Sequence, residues 1–128
     1  MIYLASPYTH KDRHRVHIRV AQTAEAQQRL LEKGINSYSP IMHWEGVAAV
    51  AEWDNKGFEF YHKHNTEMIQ LCEDFTILQL DGWRDSRGII EECYVAKKLG
   101  RIITGITLED LRNSEVFAPQ LVNTDWIF

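Results

Sequence analysis

Residues 75–104 restrict the fold of this chain more tightly than any other segment. They open with an apolar run, residues 75–80, the length of a buried strand. A polar loop containing Gly82 and Gly88 follows, then apolar residues at helical spacing from about Ile89 to Leu99. Gly100 stops that helix, and residues 101–106 read as the next strand. A strand–loop–helix–strand unit of this size calls for parallel strands and a right-handed crossover. Ligands of open α/β sheets sit beyond the carboxyl ends of the strands, which is where the loop 81–88 falls.

One residue of the unit is out of place. Wound at 100° per residue, Ile89, Cys93, Ala96, Leu99 and Val95 share one arc, and Glu92 lies inside it. Glu91 falls outside, near Lys98. A carboxylate on the core side of a helix costs free energy unless something uses it. Acids in a first turn also complement the helix dipole, which accounts for Glu91 better than for Glu92. Glu92 is therefore a candidate functional residue.

The rest of the chain extends the same alternation. Residues 1–5 form an inner strand, broken by Ser6-Pro7-Tyr8-Thr9. A long helix from about Lys11 or Asp12 to Lys33 carries Val16, Val20, Ala24, Gln27 and Leu31 on one stripe, and Gly34 suits its C′ position. Residues 35–39 are a weaker strand closed by Pro40; this β-α-β order points to a parallel sheet. Residues 47–51 read as a short helix flanked by Trp44 and Trp53. From Gly57 to Glu73 the period is helical, with Phe60, Tyr61, His64, Met68, Leu71 and Cys72 on one face, Asn65 inside it and Thr66 outside. Thr107 caps a short helix with Asp110 at its third position. The tail ends in Asp-Trp-Ile-Phe, an apolar terminus expected to pack on its own body or on a partner subunit.

At 128 residues the chain is read as one domain, residues 1–128. Its 45% hydrophobic and 25% charged content is that of an ordinary globular protein. A net charge of −4 argues against a nucleic-acid polymer as partner. No run reaches transmembrane length and no signal-peptide pattern opens the chain. Cys72 and Cys93 fit buried thiols rather than a disulfide, which suits a cytoplasmic location.

Several chemistries lack their signatures. Six histidines are present, but neither an HExxH pattern nor a Cys/His quartet, so no metal is expected. No GxxxxGK[ST], GxGxxG or G-x-S-x-G motif occurs, and no cofactor is expected. Ser86, Arg87 and Gly88 stand where a loop enters a helix: backbone N–H groups, a hydroxyl and a guanidinium there suit a phosphate, and equally a Ser cap beside a solvated arginine. Trp83 is either a lid over a flat ring or an anchor for its loop. Tyr3, near the carboxyl end of the first strand, is either core packing or part of a site.

Residues 2–8 (Ile-Tyr-Leu-Ala-Ser-Pro-Tyr), 39–43 (Ser-Pro-Ile-Met-His) and 80–88 (Leu-Asp-Gly-Trp-Arg-Asp-Ser-Arg-Gly), with Glu92 four residues later, resemble a small family found in phages and bacteria, of the DUF1937 type. That family in turn looks like the nucleoside 2-deoxyribosyltransferase superfamily. The resemblance spans about residues 1–106. It implies a flavodoxin-like three-layer α/β sandwich with a mostly parallel five-stranded sheet. It also implies cleavage or transfer of the N-glycosidic bond of a nucleoside or its 5′-monophosphate. On this resemblance Glu92 matches the family's nucleophile and Tyr3 the tyrosine that positions it. The family's helix aspartate falls on Asn65, which cannot serve as an acid or base. Transferases have aspartate where this chain has Ser86, whereas relatives that hydrolyse nucleoside 5′-monophosphates have serine there, touching phosphate. Ser6, Tyr8, His43, Trp83, Ser86, Arg87 and Gly88 are accordingly the expected substrate-binding residues, with Tyr8 or Trp83 stacking on the base and His43 a candidate proton donor. A homo-oligomer with a shared site is the expectation by analogy. Two other readings are a nucleotide-binding module without catalysis and, on the same fold, a flavin-binding electron carrier.

Overall fold

A computed structural model describes residues 1–51 and 57–128. The elements run β1 (Ile2–Ala5), α1 (Arg13–Glu32), β2 (Ser37–Tyr38), α2 (Pro40–Ala51), α3 (Phe58–Leu71), β3 (Asp74–Leu78), a 3-10 turn (Trp83–Asp85), α4 (Arg87–Lys98), β4 (Ile103–Ile106), α5 (Leu108–Asn113) and β5 (Gln120–Leu121). The sheet order is β2-β1-β3-β4-β5. All its pairings are parallel except β4 with β5. This is the flavodoxin-like three-layer sandwich, whose strand order reverses between β1 and β3.

The sheet separates two cores because successive strand residues point to opposite faces. Tyr3, Ala5, Phe75 and Ile77 pack against Ile69 and Cys72 at the end of α3 and against Ile89, Cys93 and Ala96 of α4. Ile2, Leu4, Leu78 and Ile106 pack against Ala26 and Leu30 of α1 and Leu108 and Leu111 of α5. β1 is an inner strand, paired on both sides, and all four of its residues are buried. Both cysteines are free and buried. Among the described residues no helix is long and apolar enough to cross a membrane.

Cap chemistry sets the helix ends. The Asp12 side chain accepts from the His14 N–H, Ser86 from Ile89 and Thr107 from Asp110. Gly34 and Gly100, at φ 77 and 73, follow the last turns of α1 and α4.

Four sequence expectations are corrected. The buried stripe of α1 is Thr23, Ala26 and Leu30, one residue round from the expected one, and Leu31 is 60% exposed. The small side chains of Thr23 and Ala26 let the helix lie close to the sheet, a packing effect invisible to periodicity alone. In α3, Ile69 and Cys72 are buried while Leu71 is 72% exposed. Pro40 both closes β2 and opens α2, whose first turn is capped by Ser39 through the Met42 N–H, so the helix is longer than residues 47–51. Trp53 lies outside the described residues. The tail supplies β5, an unforeseen edge strand, and then packs on its own body: Trp126 meets Trp83, and the Ile127 carbonyl accepts from the Tyr94 hydroxyl.

Candidate functional site

The loops after β1 and β3 leave the sheet at the strand-order reversal and, with α2, α3 and the start of α4, enclose a cleft of about 740 Å³. Glu92, in the second turn of α4, reaches this cleft although the residue is only 6% exposed. Ser86 caps the helix, so the frame that buries Ile89, Cys93 and Ala96 turns Glu92 inward with them.

Tyr3 makes that burial tolerable. It is fully buried, stacked on Phe75 with ring centroids 5.6 Å apart, and its hydroxyl donates to Glu92 Oε2. Burial pushes the Glu92 carboxyl up to about 8, and the Tyr3 hydrogen bond opposes that rise without cancelling it. The same burial and the adjacent Glu92 hold the Tyr3 hydroxyl well above its ordinary range, so it stays a donor. The other carboxylate oxygen, Oε1, lies on the Gly88 side: a Cβ at that glycine would stand 3.8 Å from it. The pair is a desolvated carboxyl with one oxygen tethered and the other toward the cleft.

Ser86, Arg87 and Gly88 line the cleft beside Glu92. Arg87 is exposed, and its guanidinium carbon sits 4.0 Å from the centroid of the Phe58 ring. That stacking orients a planar cation at the rim. Ser6 is buried at the cleft floor, where its hydroxyl accepts from Thr23 at 3.4 Å. Asn65 lines the cleft from α3, and its Oδ1 accepts from Trp44 Nε1 at 3.5 Å. Tyr8 also lines it and donates to Glu45 Oε1 at 2.5 Å. Burial and Glu45 push the Tyr8 hydroxyl up to about 12.

Eight of the ten expected residues therefore converge: seven line the cleft and Tyr3 backs Glu92 from behind. Two stand elsewhere. His43 is exposed and stacks on His64 at 5.1 Å, beside Tyr38 and outside the cleft lining. Its register on α2, counted from Pro40, turns it away from the cleft while Trp44 and Glu45 face in. Trp83 meets Trp126 edge to face at 5.6 Å and serves as the loop's anchor to the tail. Sequence reasoning missed Glu45, Trp44 and Tyr61 as cleft residues. The signal for Trp44 and Glu45 was Pro40 following Ser39, which starts a helix and sets which side chains face inward, and the signal for Tyr61 was its place on the same α3 face as Asn65.

Among the described residues no group of three or more His, Cys, Asp and Glu side chains is arranged to hold a metal ion. The described lining offers the buried Glu92 carboxyl, the further carboxyls of Glu45 and Asp85, phenols at Tyr8 and Tyr61, the His62 imidazole, hydroxyls, the Asn65 amide and the Arg87 guanidinium. A desolvated carboxyl that opens on a cleft can act as a nucleophile or as an acid–base group.

The chain belongs to the family described as Domain of unknown function (DUF1937), which it matches over residues 1–106. A comparison with curated proteins finds no match. The matched span contains every residue placed in the cleft and ends at Ile106, before α5 and β5.

Proposed function

From membership of that family as premise, we propose that this protein cleaves or transfers the N-glycosidic bond of a nucleoside or, better, its 5′-monophosphate, and is related to the nucleoside 2-deoxyribosyltransferase superfamily. The observation that carries the reading is Glu92, buried yet open to the cleft and hydrogen-bonded by a fully buried tyrosine. A desolvated carboxylate is a stronger nucleophile than a hydrated one, and among the described residues Tyr3 is the hydrogen-bond partner of its side chain.

In the first step Glu92 Oε1, ionised, attacks C1′ from the face opposite the base. The C1′–N bond breaks, its electron pair leaves with the base, and the base takes up a proton from solvent. The product is a glycosyl ester of Glu92. Water or a second base then attacks C1′ from the vacated face and gives up its proton to solvent, and Glu92 departs as a carboxylate, so configuration is retained. The Tyr3 hydroxyl bonds Oε2 throughout and stabilises the carboxylate each time it is released. Ser86, Arg87 and the free N–H groups of α4 are suited to the 5′-phosphate. With the carboxyl raised to about 8, only about a tenth of the empty protein carries ionised Glu92 at pH 7, and kcat/KM is expected to rise with pH until about 8.

The test is release of free base, followed by mass spectrometry, from a panel of nucleosides and 5′-monophosphates with and without an acceptor base. Release by wild type and none by Glu92→Gln is the expected result. Glu92→Ala retaining most activity would refute the mechanism. A second reading, a nucleotide-binding module without catalysis, is favoured by Asn65, an amide that cannot protonate a leaving base. It gains if both proteins bind nucleotides and neither releases base.

A further inference from the structure

The nucleotide reading leaves the base unspecified; resting on that reading, the cleft geometry carries the argument further. With C1′ at Glu92 and the phosphate at Ser86 and Arg87, both ends of the sugar phosphate are held by the start of α4. The base is then left to the remaining wall, made by the loop after β1 and by α2 and α3. That wall is aromatic. Tyr8, Trp44 and Tyr61 line it, with Trp44 and Tyr61 edge to face at 5.0 Å. Flat rings of this kind suit a nucleobase of any sequence, since every base has a π-face.

A carboxylate stands beside the rings of Tyr8, Trp44 and Tyr61. Glu45 lines the same cleft and is half-buried. Its Oε1 takes the Tyr8 hydroxyl at 2.5 Å. Among the described residues no Lys, Arg or His forms an ion pair with it. Oε2 is thus an acceptor fixed in place by a bond to its neighbour oxygen and set in an aromatic surround. A carboxylate accepts and does not donate. Base edges differ on that point: adenine and cytosine present an amino donor where hypoxanthine and uracil present a carbonyl acceptor.

We propose that Glu45 reads an exocyclic amino group, so that the substrates are nucleotides of amino-bearing bases rather than of their oxo counterparts. The amino group donates to Oε2 and satisfies it. A carbonyl at the same place sets lone pairs against lone pairs and leaves a half-buried charge without its partner. Tyr8 is the positioning residue: its hydroxyl holds the carboxylate toward the cleft instead of letting it turn to solvent.

Binding can be read apart from turnover in the Glu92→Gln protein, which keeps the nucleotide intact. Calorimetric Kd values are measured for two matched pairs, deoxycytidine against deoxyuridine 5′-monophosphate and deoxyadenosine against deoxyinosine 5′-monophosphate. The amino member of each pair is expected to bind roughly 10- to 100-fold tighter, the discrimination of a good base contact. Adding Glu45→Gln, whose amide offers a donor as well as an acceptor, should shrink the gap to within about threefold. The carboxamide still accepts from Tyr8, and a thermal melt matching that of the parent checks the fold. Equal binding within each pair overturns the assignment of Glu45 and leaves the glycosidic reading standing. A preference that survives Glu45→Gln also overturns it, placing amino recognition on another group. Binding of no nucleotide at all overturns both readings. Amino-selective binding without base release from any substrate by wild type sinks the glycosidic reading and keeps Glu45 as the base reader.

Discussion

Glu92→Gln should make this protein more stable, and increasingly so as the pH rises. The Glu92 carboxyl is raised from 4.5 to about 8, chiefly by burial. Below pH 4.5 the folded and unfolded chains both carry the proton and the carboxyl costs nothing electrostatic. Between 4.5 and 8 the unfolded chain has lost it while the folded chain keeps it, so the unfolded state gains on the folded one as pH rises. Above 8 the folded chain must hold a buried anion, and the full penalty is in place. The penalty amounts to roughly 3 kcal/mol at pH 7 and roughly 5 kcal/mol above pH 8. Glutamine is the neutral form made permanent: it fills the same volume and its Oε1 accepts from Tyr3. The variant escapes the penalty, which at pH 7 corresponds to a rise in Tm on the order of 10 °C for a domain of this size. Urea unfolding of both proteins from about pH 4 to about pH 9 is the assay, and the quantity of interest is the difference between their curves. Histidines and the other carboxyls titrate in both proteins, so they cancel. A difference near zero at acid pH that opens steadily toward pH 8 is expected. A difference independent of pH, or a variant less stable than wild type at pH 8, would refute the reasoning and mean that Glu92 is hydrated or paired in the folded protein.

Two further outcomes follow from the same geometry. Tyr3→Phe removes the Tyr3 donor to Glu92, a bond to a charged group worth roughly 1.5–3 kcal/mol, so kcat should fall about 10- to 100-fold and the rising limb of the pH–rate profile should move above 8; an unmoved limb would show that the hydroxyl does not hold the carboxylate. Gly82→Ala should destabilise the fold by roughly 1–2 kcal/mol in urea unfolding, because Gly82 has φ 82 and an added Cβ would stand 2.6 Å from Arg19 Nη2, the guanidinium that donates to the Thr9 and Asp81 carbonyls and ties the two cleft loops together; a variant of unchanged stability would mean that the loop relaxes freely.

Much of this architecture is local, and local chemistry is what a sequence displays. The unit from β3 to β4 announced itself by an apolar run, a glycine-bearing loop and a helical period, each a property of a few neighbouring residues. Glu92 was legible for the same reason: its angle on α4 follows from spacing alone, and the structure buries it where that angle puts it. The Thr107 cap was equally visible. What holds Glu92 was visible only through resemblance, since Tyr3 lies 89 positions away along the chain. Tyr8 and Glu45 are 37 apart, on a loop and a helix whose start depends on how Ser39 and Pro40 break the chain. No periodicity reports such a pairing, because it is made where the loop after β1 meets α2. The same holds for His43 and Trp83, right in type for a binding site but turned elsewhere by helix register and by the tail. β5 was silent because its two residues are exposed and their only signal is backbone pairing with β4. The sequence by itself therefore determined the order of elements from β1 to α5 and the buried carboxyl. Only the tertiary structure decided which distant side chains face that carboxyl, because a cleft wall is set by how helices dock on a twisted sheet and not by the residues beside each one.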